Sequence, residues 1–153
     1  MTYTLVSADE NLPAGDRRLR VFLGGNCRGR DWRLDFYRRF SSEEIIFITP
    51  KRDSFADPDM DPVSHANQVG WERQAIDRAD VSVFWLGEGL ANQASRVEIG
   101  YALGKGCSTL MGAAEGFLGL EHLSAFSGMV LSTSVEGLMA RLTSLVEEHK
   151  LKA

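Results

Sequence analysis

Three short apolar runs punctuate the chain, and each is closed by a residue that breaks regular structure. Residues 20–23 in RVFLGGN run into Gly24 and Gly25, residues 45–49 (IIFIT) into Pro50, and residues 81–86 (VSVFWL) into Gly87. Runs this short and this poor in polar residues suit strands buried on both faces. The segments between them have helical spacing. Trp32, Phe36 and Phe40 recur every four residues behind Asp31, which can cap the helix, so this stripe should lie on the sheet. Residues 67–78 read as a second helix and 94–103 as a third, stopped by Gly104 and Gly106. A fourth strand follows at 107–111, then an irregular stretch and a short fifth strand at 129–131. Thr133 with Glu136 makes a capping-box pattern ahead of Val135, Leu138, Met139, Leu142, Leu145 and Val146, which define a last helix. Strands alternating with helices imply βαβ units with right-handed crossovers. The expected fold is an α/β, flavodoxin-like (Rossmann-like) three-layer sandwich. Its five-stranded parallel sheet has the order 2-1-3-4-5, with strands counted along the chain.

With 153 residues, 44% hydrophobic, the expectation is one domain over 1–153, with 1–18 a polar leader. The balance of 17 basic against 21 acidic residues, net −4, lacks the positive excess that a nucleic-acid polymer demands. No apolar run approaches the ~20 residues of a membrane span, and residues 1–16 have neither a basic nor an apolar targeting region, so the expected location is cytoplasmic. Cys27 and Cys107 are read as free thiols, and no metal site is expected, because neither a CxxC nor a His-rich cluster accompanies them. Residues 51–65 form a long, acidic, proline-containing segment of the kind that serves as a binding loop or lid.

In such sheets ligands bind beyond the carboxyl ends of the strands, where the strand order reverses. Three segments converge there: 24–31, 50–71 and 87–98. Gly24 and Gly25 let the backbone turn sharply, and Asn26, Arg28 and Arg30 offer donors to a sugar or phosphate, although a plain tight turn with solvated arginines explains them equally. GGNCRGR is neither a P-loop nor a GxGxxG fingerprint, which disfavours ATP chemistry and a dinucleotide site. Glu98 falls in the first turn of the third helix, where it either faces a ligand or closes a capping box with Ser95. Glu72 lies in the N-terminal half of the second helix near the same edge, whereas Asp77 and Asp80 fall lower and are structural. Glu72 and Glu98 together offer the two carboxylates that glycosidic cleavage requires. Trp71, Trp85 and Phe55 are candidates for stacking a planar base, with core packing as the alternative.

FLGGN at 22–26, Trp32, the TP-K-R segment at 49–52, GWERQAIDRADVSVFWL at 70–86 and VEIGYALGKG at 97–106 resemble the nucleoside 2-deoxyribosyltransferase family over roughly residues 20–112. The resemblance implies that Glu98, the glutamate of E-x-G, is the nucleophile at the anomeric carbon. Glu72, eight residues before the R-A-D aspartate, assists at sugar or base, and Gly24 and Gly25 line the sugar pocket. The better-studied transferases carry another acidic residue where this chain has Asn92, which leaves recognition of the base or sugar hydroxyl open there. The implied activity is cleavage of the N-glycosidic bond of a (deoxy)nucleoside and transfer of the sugar to another base, with no cofactor. The implied assembly is a homo-oligomer whose copies complete each other's sites. A deoxynucleoside 5′-monophosphate N-hydrolase is the close alternative, with Ser95, Arg28 and Arg30 holding the phosphate. A non-catalytic nucleotide-binding or signalling domain is the alternative of another class. A phospho-receiver is disfavoured, since the first strand is followed by Gly-Gly-Asn instead of acidic residues.

Overall fold

The computed structural model describes residues 3–8, 10–51, 62–87 and 92–153. Its sheet is built from β1 (Thr4–Ser7), β2 (Leu19–Gly25), β3 (Ile45–Thr49), β4 (Val81–Leu86) and β5 (Thr109–Ala113), ordered β1-β3-β2-β4-β5 with every pair parallel. The helices are α1 (Arg33–Arg39), α2 (Pro62–Arg78), α3 (Gln93–Gly104), α4 (Leu120–Ser127) and α5 (Val135–Lys152).

Alternation along each strand divides the interior into two cores. Val21, Leu23, Ile45, Phe47 and Val83 meet Trp32, Phe36, Phe40, Leu138, Leu142 and Val146, so α1 and α5 cover one face. Phe22, Ile46, Ile48 and Phe84 meet Ala75, Ile76, Ile99 and Ala102, so α2 and α3 cover the other. Each such side chain contributes about 1.5–3 kcal/mol when fully buried. The three-layer α/β architecture thus follows from strands that are apolar on both faces. The aromatic stripe lies on the sheet as its spacing demands, with Trp32 and Phe36 in edge contact at 5.4 Å between ring centroids.

The strand order needs one correction. The four strands at 19–25, 45–49, 81–86 and 109–113 keep the expected arrangement, but the fifth lies at the opposite edge. Residues 4–7, expected in a leader, pair with β3 from Thr4↔Ile46 to Ser7↔Thr49. This edge strand buries little: only Val6 is buried while Leu5 is 40% exposed, so TLVS carries a weak apolar signal. Residues 129–131, expected as a strand, form none; the next residue, Ser132, makes an isolated bridge to Gly112. Gly128, left-handed at φ 68°, ends α4 immediately before them, and Val130 is exposed.

Other boundaries move as well. The stretch expected to be irregular holds α4, and α2 begins at Pro62, five residues before the expected start. Proline suits the first turn, where its missing N–H has no helical partner. The cap of α5 is Ser134 instead of Thr133; its hydroxyl accepts from Gly137 N at 3.0 Å. Asp31 lies just before α1, where its carboxylate accepts from Arg33 N at 3.3 Å and pairs with Lys51 at 2.6 Å. Cys27 and Cys107 are free thiols. Among the described residues no helix is long and apolar enough to cross a membrane.

Candidate active site

The carboxyl ends of β2 and β4 diverge at a cavity of about 430 Å³, within the ~300–1,000 Å³ that small-molecule sites occupy. Gly25, Asn26, Cys27 and Arg28 line one side, Asn92–Ser95 at the start of α3 the other, and Glu98 and Pro50 complete it.

The β2 side is shaped by the glycine pair. Gly25 has φ +103°, and a Cβ there would lie 2.2 Å from Trp85 O; one on Gly24 would lie 2.5 Å from the Phe84 ring. These glycines let β2 lie against β4 and turn away at once, and Gly25 lines the cavity while Gly24 packs beneath it. Asn26 is then held from three directions. Its N–H donates to Trp85 O at 3.0 Å, and its carbonyl accepts from Trp32 Nε1 and Arg33 Nη1, both at 3.0 Å. Its side-chain amide donates to Arg28 O at 2.9 Å. The buried Asn26 Oδ1 has no donor among the described residues.

The α3 side begins at Asn92, a left-handed residue (φ 50°, ψ 44°), whose amide lies 3.5 Å from Gly87 O. Because Asn92 is the N-cap, Ser95 is the third helical residue and cannot cap, so the capping-box role for Glu98 falls away. Glu98 instead meets Glu72. Glu72 lies beyond the midpoint of α2, because that helix starts earlier than its sequence pattern indicates, yet it remains opposite the N-terminal half of α3. The two carboxyls share a hydrogen bond. Burial, then the charge of Glu72 and that bond, push Glu98 up to about 8, against an opposing pull from Arg33. Gln68, one turn before Glu72, donates from Nε2 to Glu72 Oε1 at 3.1 Å. Cys27 lines the same cavity with its thiol pushed up, mainly by burial.

A stability consequence follows from the raised Glu98. Between about pH 4.5, its ordinary value, and about pH 8 the folded chain holds a proton that the unfolded chain has lost. Stability therefore falls as pH rises through that window, and the loss is complete above it. Glu98→Gln removes the penalty. Urea unfolding should show the variant more stable than the wild type by on the order of 1–2 kcal/mol at pH 8 and equal to it near pH 4. An advantage independent of pH would contradict the buried, shared proton.

Several expected site residues lie elsewhere. Arg30 turns away, pairs with Asp35 at 2.7 Å and lines a different depression with Arg38 and Ser134. Exposed Arg28 alone among the arginines of this loop borders the cavity. Trp71 donates from Nε1 to Glu10 O at 2.9 Å and packs on the α2–α3 core, which pins the segment after β1; it does not line the cavity. Trp85 packs over Gly112 on the sheet, as a core residue does. Phe55, Arg52 and most of the expected 51–65 loop lie outside the described residues. Asp80 accepts from Arg20 N at 2.8 Å and pairs with its guanidinium, while Asp77 accepts from the Tyr101 hydroxyl at 2.6 Å, so both are structural.

Arg33 and Gln68 are the site residues that sequence reasoning missed. Gln68 could have been found from its i, i+4 spacing to Glu72. Arg33 follows Trp32 directly, and on a helix adjacent positions do not share a face, so nothing in the pattern marks it as buried.

The fold and the cavity define an α/β protein with two neighbouring carboxyls, Glu72 and Glu98, at the switch point of a parallel sheet. Residues 18–117, well over half of the chain, match the family described as nucleoside 2-deoxyribosyltransferase like, and the chain belongs to that family. No curated protein matches it.

Proposed function

We propose that this chain cleaves the N-glycosidic bond of a 2-deoxynucleoside by a retaining double displacement and passes the sugar to a second base. The observation that carries this reading is the half-buried, hydrogen-bonded Glu72–Glu98 pair, in which Glu98 lines the cavity of about 430 Å³ and Glu72 lies in the adjoining groove that Glu98 also lines. A hydrogen-bonded pair lies nearer to the ~5–5.5 Å carboxyl separation of retaining enzymes than to the ~6.5–9.5 Å with which inverting enzymes admit a water, which favours a carboxylate nucleophile. A pair that shares one proton holds an acid and a base together at neutral pH.

The resting proton lies on Glu98 and first crosses the shared hydrogen bond to Glu72. The ionised Glu98 oxygen then bonds to C1′ as the C1′–N bond breaks, and the proton from Glu72, or from a water it orients, goes to the departing base. The incoming base then bonds to C1′, the Glu98 ester breaks, and the proton lost by that base returns to Glu72. Water in place of the second base makes the reaction a hydrolysis. Gln68 donates from Nε2 to Glu72 Oε1 at 3.1 Å, which favours an ionised Glu72 at rest, ready to receive the proton from Glu98. A 2-deoxy sugar is the easier substrate, since no 2′-hydroxyl withdraws electrons from the developing oxocarbenium ion. Gly25, Asn26 and Asn92 are assigned to the substrate cavity, and copies of the chain are expected to assemble.

A second reading, N-hydrolysis of a deoxynucleoside 5′-monophosphate, is favoured by Arg28 and by the first turn of α3 at Gln93–Ser95 lining the same cavity, where free N–H groups and a guanidinium suit a phosphate. Chromatography of deoxynucleosides and their 5′-monophosphates, with and without a free acceptor base, tests both. The expected result is free base from a deoxynucleoside and a new nucleoside only with acceptor. Turnover of monophosphates alone selects the hydrolase. Ligand-induced melting shifts without any product would replace both with a binding domain.

A further inference from the structure

Resting on this reading, we propose that Arg33 is the positioning residue of the site: its guanidinium pins residues 23–27 into the cavity wall and keeps a buried positive charge behind Cys27, in the wall of the cavity that Glu98 lines. Arg33 is 1% exposed and is the only charged residue among the described ones to be fully buried. Its Nε donates to Leu23 O at 3.0 Å, Nη1 to Asn26 O at 3.0 Å, and Nη2 approaches Cys27 Sγ at 3.5 Å. The guanidinium carbon lies 4.6 Å from the centre of the Trp32 ring. Among the described residues no carboxylate is in ion-pair contact with it.

A buried cation without a counter-ion is costly, and neutral carbonyls compensate it only in part. Two features explain its retention. The planar fork reaches two carbonyls that flank the glycine pair, which a single-point donor cannot do. Its charge also acts through a low-dielectric interior on the carboxylate that must ionise during the reaction. Other groups face Glu98 too: Glu72 from α2, His65 and Arg73 from α2 and Tyr101 from α3 across a second groove, and Cys27 and Arg28 from the loop after β2. Arg28 and Arg73 are exposed, and Arg73 is engaged by Tyr101, so solvent screens both. Arg33 is the cation that solvent does not screen.

Loop anchoring alone needs donors but no charge, so two variants separate the roles. Arg33→Gln keeps an amide donor and loses the charge; Arg33→Lys keeps the charge and loses the fork. Side-chain carboxyls of 13C-glutamate-labelled protein are titrated by NMR, with Glu98→Gln assigning the raised resonance and circular dichroism reporting the fold. In Arg33→Gln the raised midpoint is expected to climb by at least about one further pH unit, the scale of an opposite charge nearby, whereas in Arg33→Lys it stays within a few tenths. Arg33→Lys should instead raise KM for the deoxynucleoside by about tenfold while kcat falls less. A folded Arg33→Gln with the wild-type midpoint overturns the proposal. Should Arg33→Gln fail to fold, Arg33→Lys decides, because a shifted midpoint or an unchanged KM overturns it. Wild type that releases no base from any substrate defeats the glycosidic reading instead, and the titration then judges Arg33 by itself.

Discussion

Glu98→Ala should lose at least ~100-fold in base release from a deoxynucleoside, the scale of a positioned catalytic group, while the protein keeps its fold. The fold should survive because Glu98 makes no cap on α3 and its buried carboxyl is a burden on stability at neutral pH. Glu72→Ala tests the same pair from the other side. Without the second carboxyl, the charge and hydrogen bond that raise Glu98 are gone, and its pKa moves down towards the ordinary range. The acid limb of the rate profile should move to lower pH as kcat drops, because the nucleophile ionises more readily but the leaving base receives no proton. Turnover of Glu98→Ala near the wild-type rate would remove the nucleophile from the account.

Gly25→Ala should be the most damaging single methyl in the chain, costing about 3 kcal/mol or more in urea unfolding. The left-handed φ of +103° is strained for any residue with a Cβ, and the methyl would lie 2.2 Å from Trp85 O and 2.7 Å from Trp85 N. Both are backbone atoms of the neighbouring strand, so no side chain can swing aside. Relief requires β2 and β4 to part at their last register pair, Gly25↔Trp85, and with it goes the Asn26 N–H bond to Trp85 O that fixes the cavity wall. Gly24→Ala offers a comparison: its methyl meets ring atoms of Phe84 and Phe22, which can shift, so the cost should be smaller. A loss below about 1 kcal/mol for Gly25→Ala would show that the strand ends are not held as described.

The parts of this molecule that were legible before the structure share a physical origin. Strands apolar on both faces announce a covered parallel sheet, and the Trp32, Phe36, Phe40 spacing announces a helix lying on it. The edge strand at Thr4–Ser7 was invisible because an edge buries a single side chain well, here Val6, and four residues with one buried position make no periodicity. The start of α2 was hidden by proline, which reads as a breaker but is favourable in a first turn. That Glu72 and Glu98 lie near each other at one sheet edge was recognisable from their places relative to that edge. Arg30 and Trp71 were not separable from true wall residues, since which side of a loop or helix an arginine or tryptophan takes depends on distant partners, Asp35 for one and the Glu10 carbonyl for the other. Arg33 was missed for the opposite reason: a buried arginine beside a buried tryptophan defies helical periodicity, and only its carbonyl partners in the loop after β2 explain it.

The central claim is that the Glu98 carboxylate bonds to the anomeric carbon. Mass spectrometry of acid-quenched protein, after incubation with a 2′-fluoro-2′-deoxynucleoside and no acceptor base, examines that bond directly, since the electron-withdrawing fluorine slows breakdown of the ester. The expected result is the mass gain of one fluorodeoxyribosyl group, located by digestion on the peptide that carries Glu98, lost on addition of acceptor base and never seen in Glu98→Gln. Rapid release of base from the parent deoxynucleoside with no adduct from the fluorinated one, or an adduct on a peptide without Glu98, would contradict it.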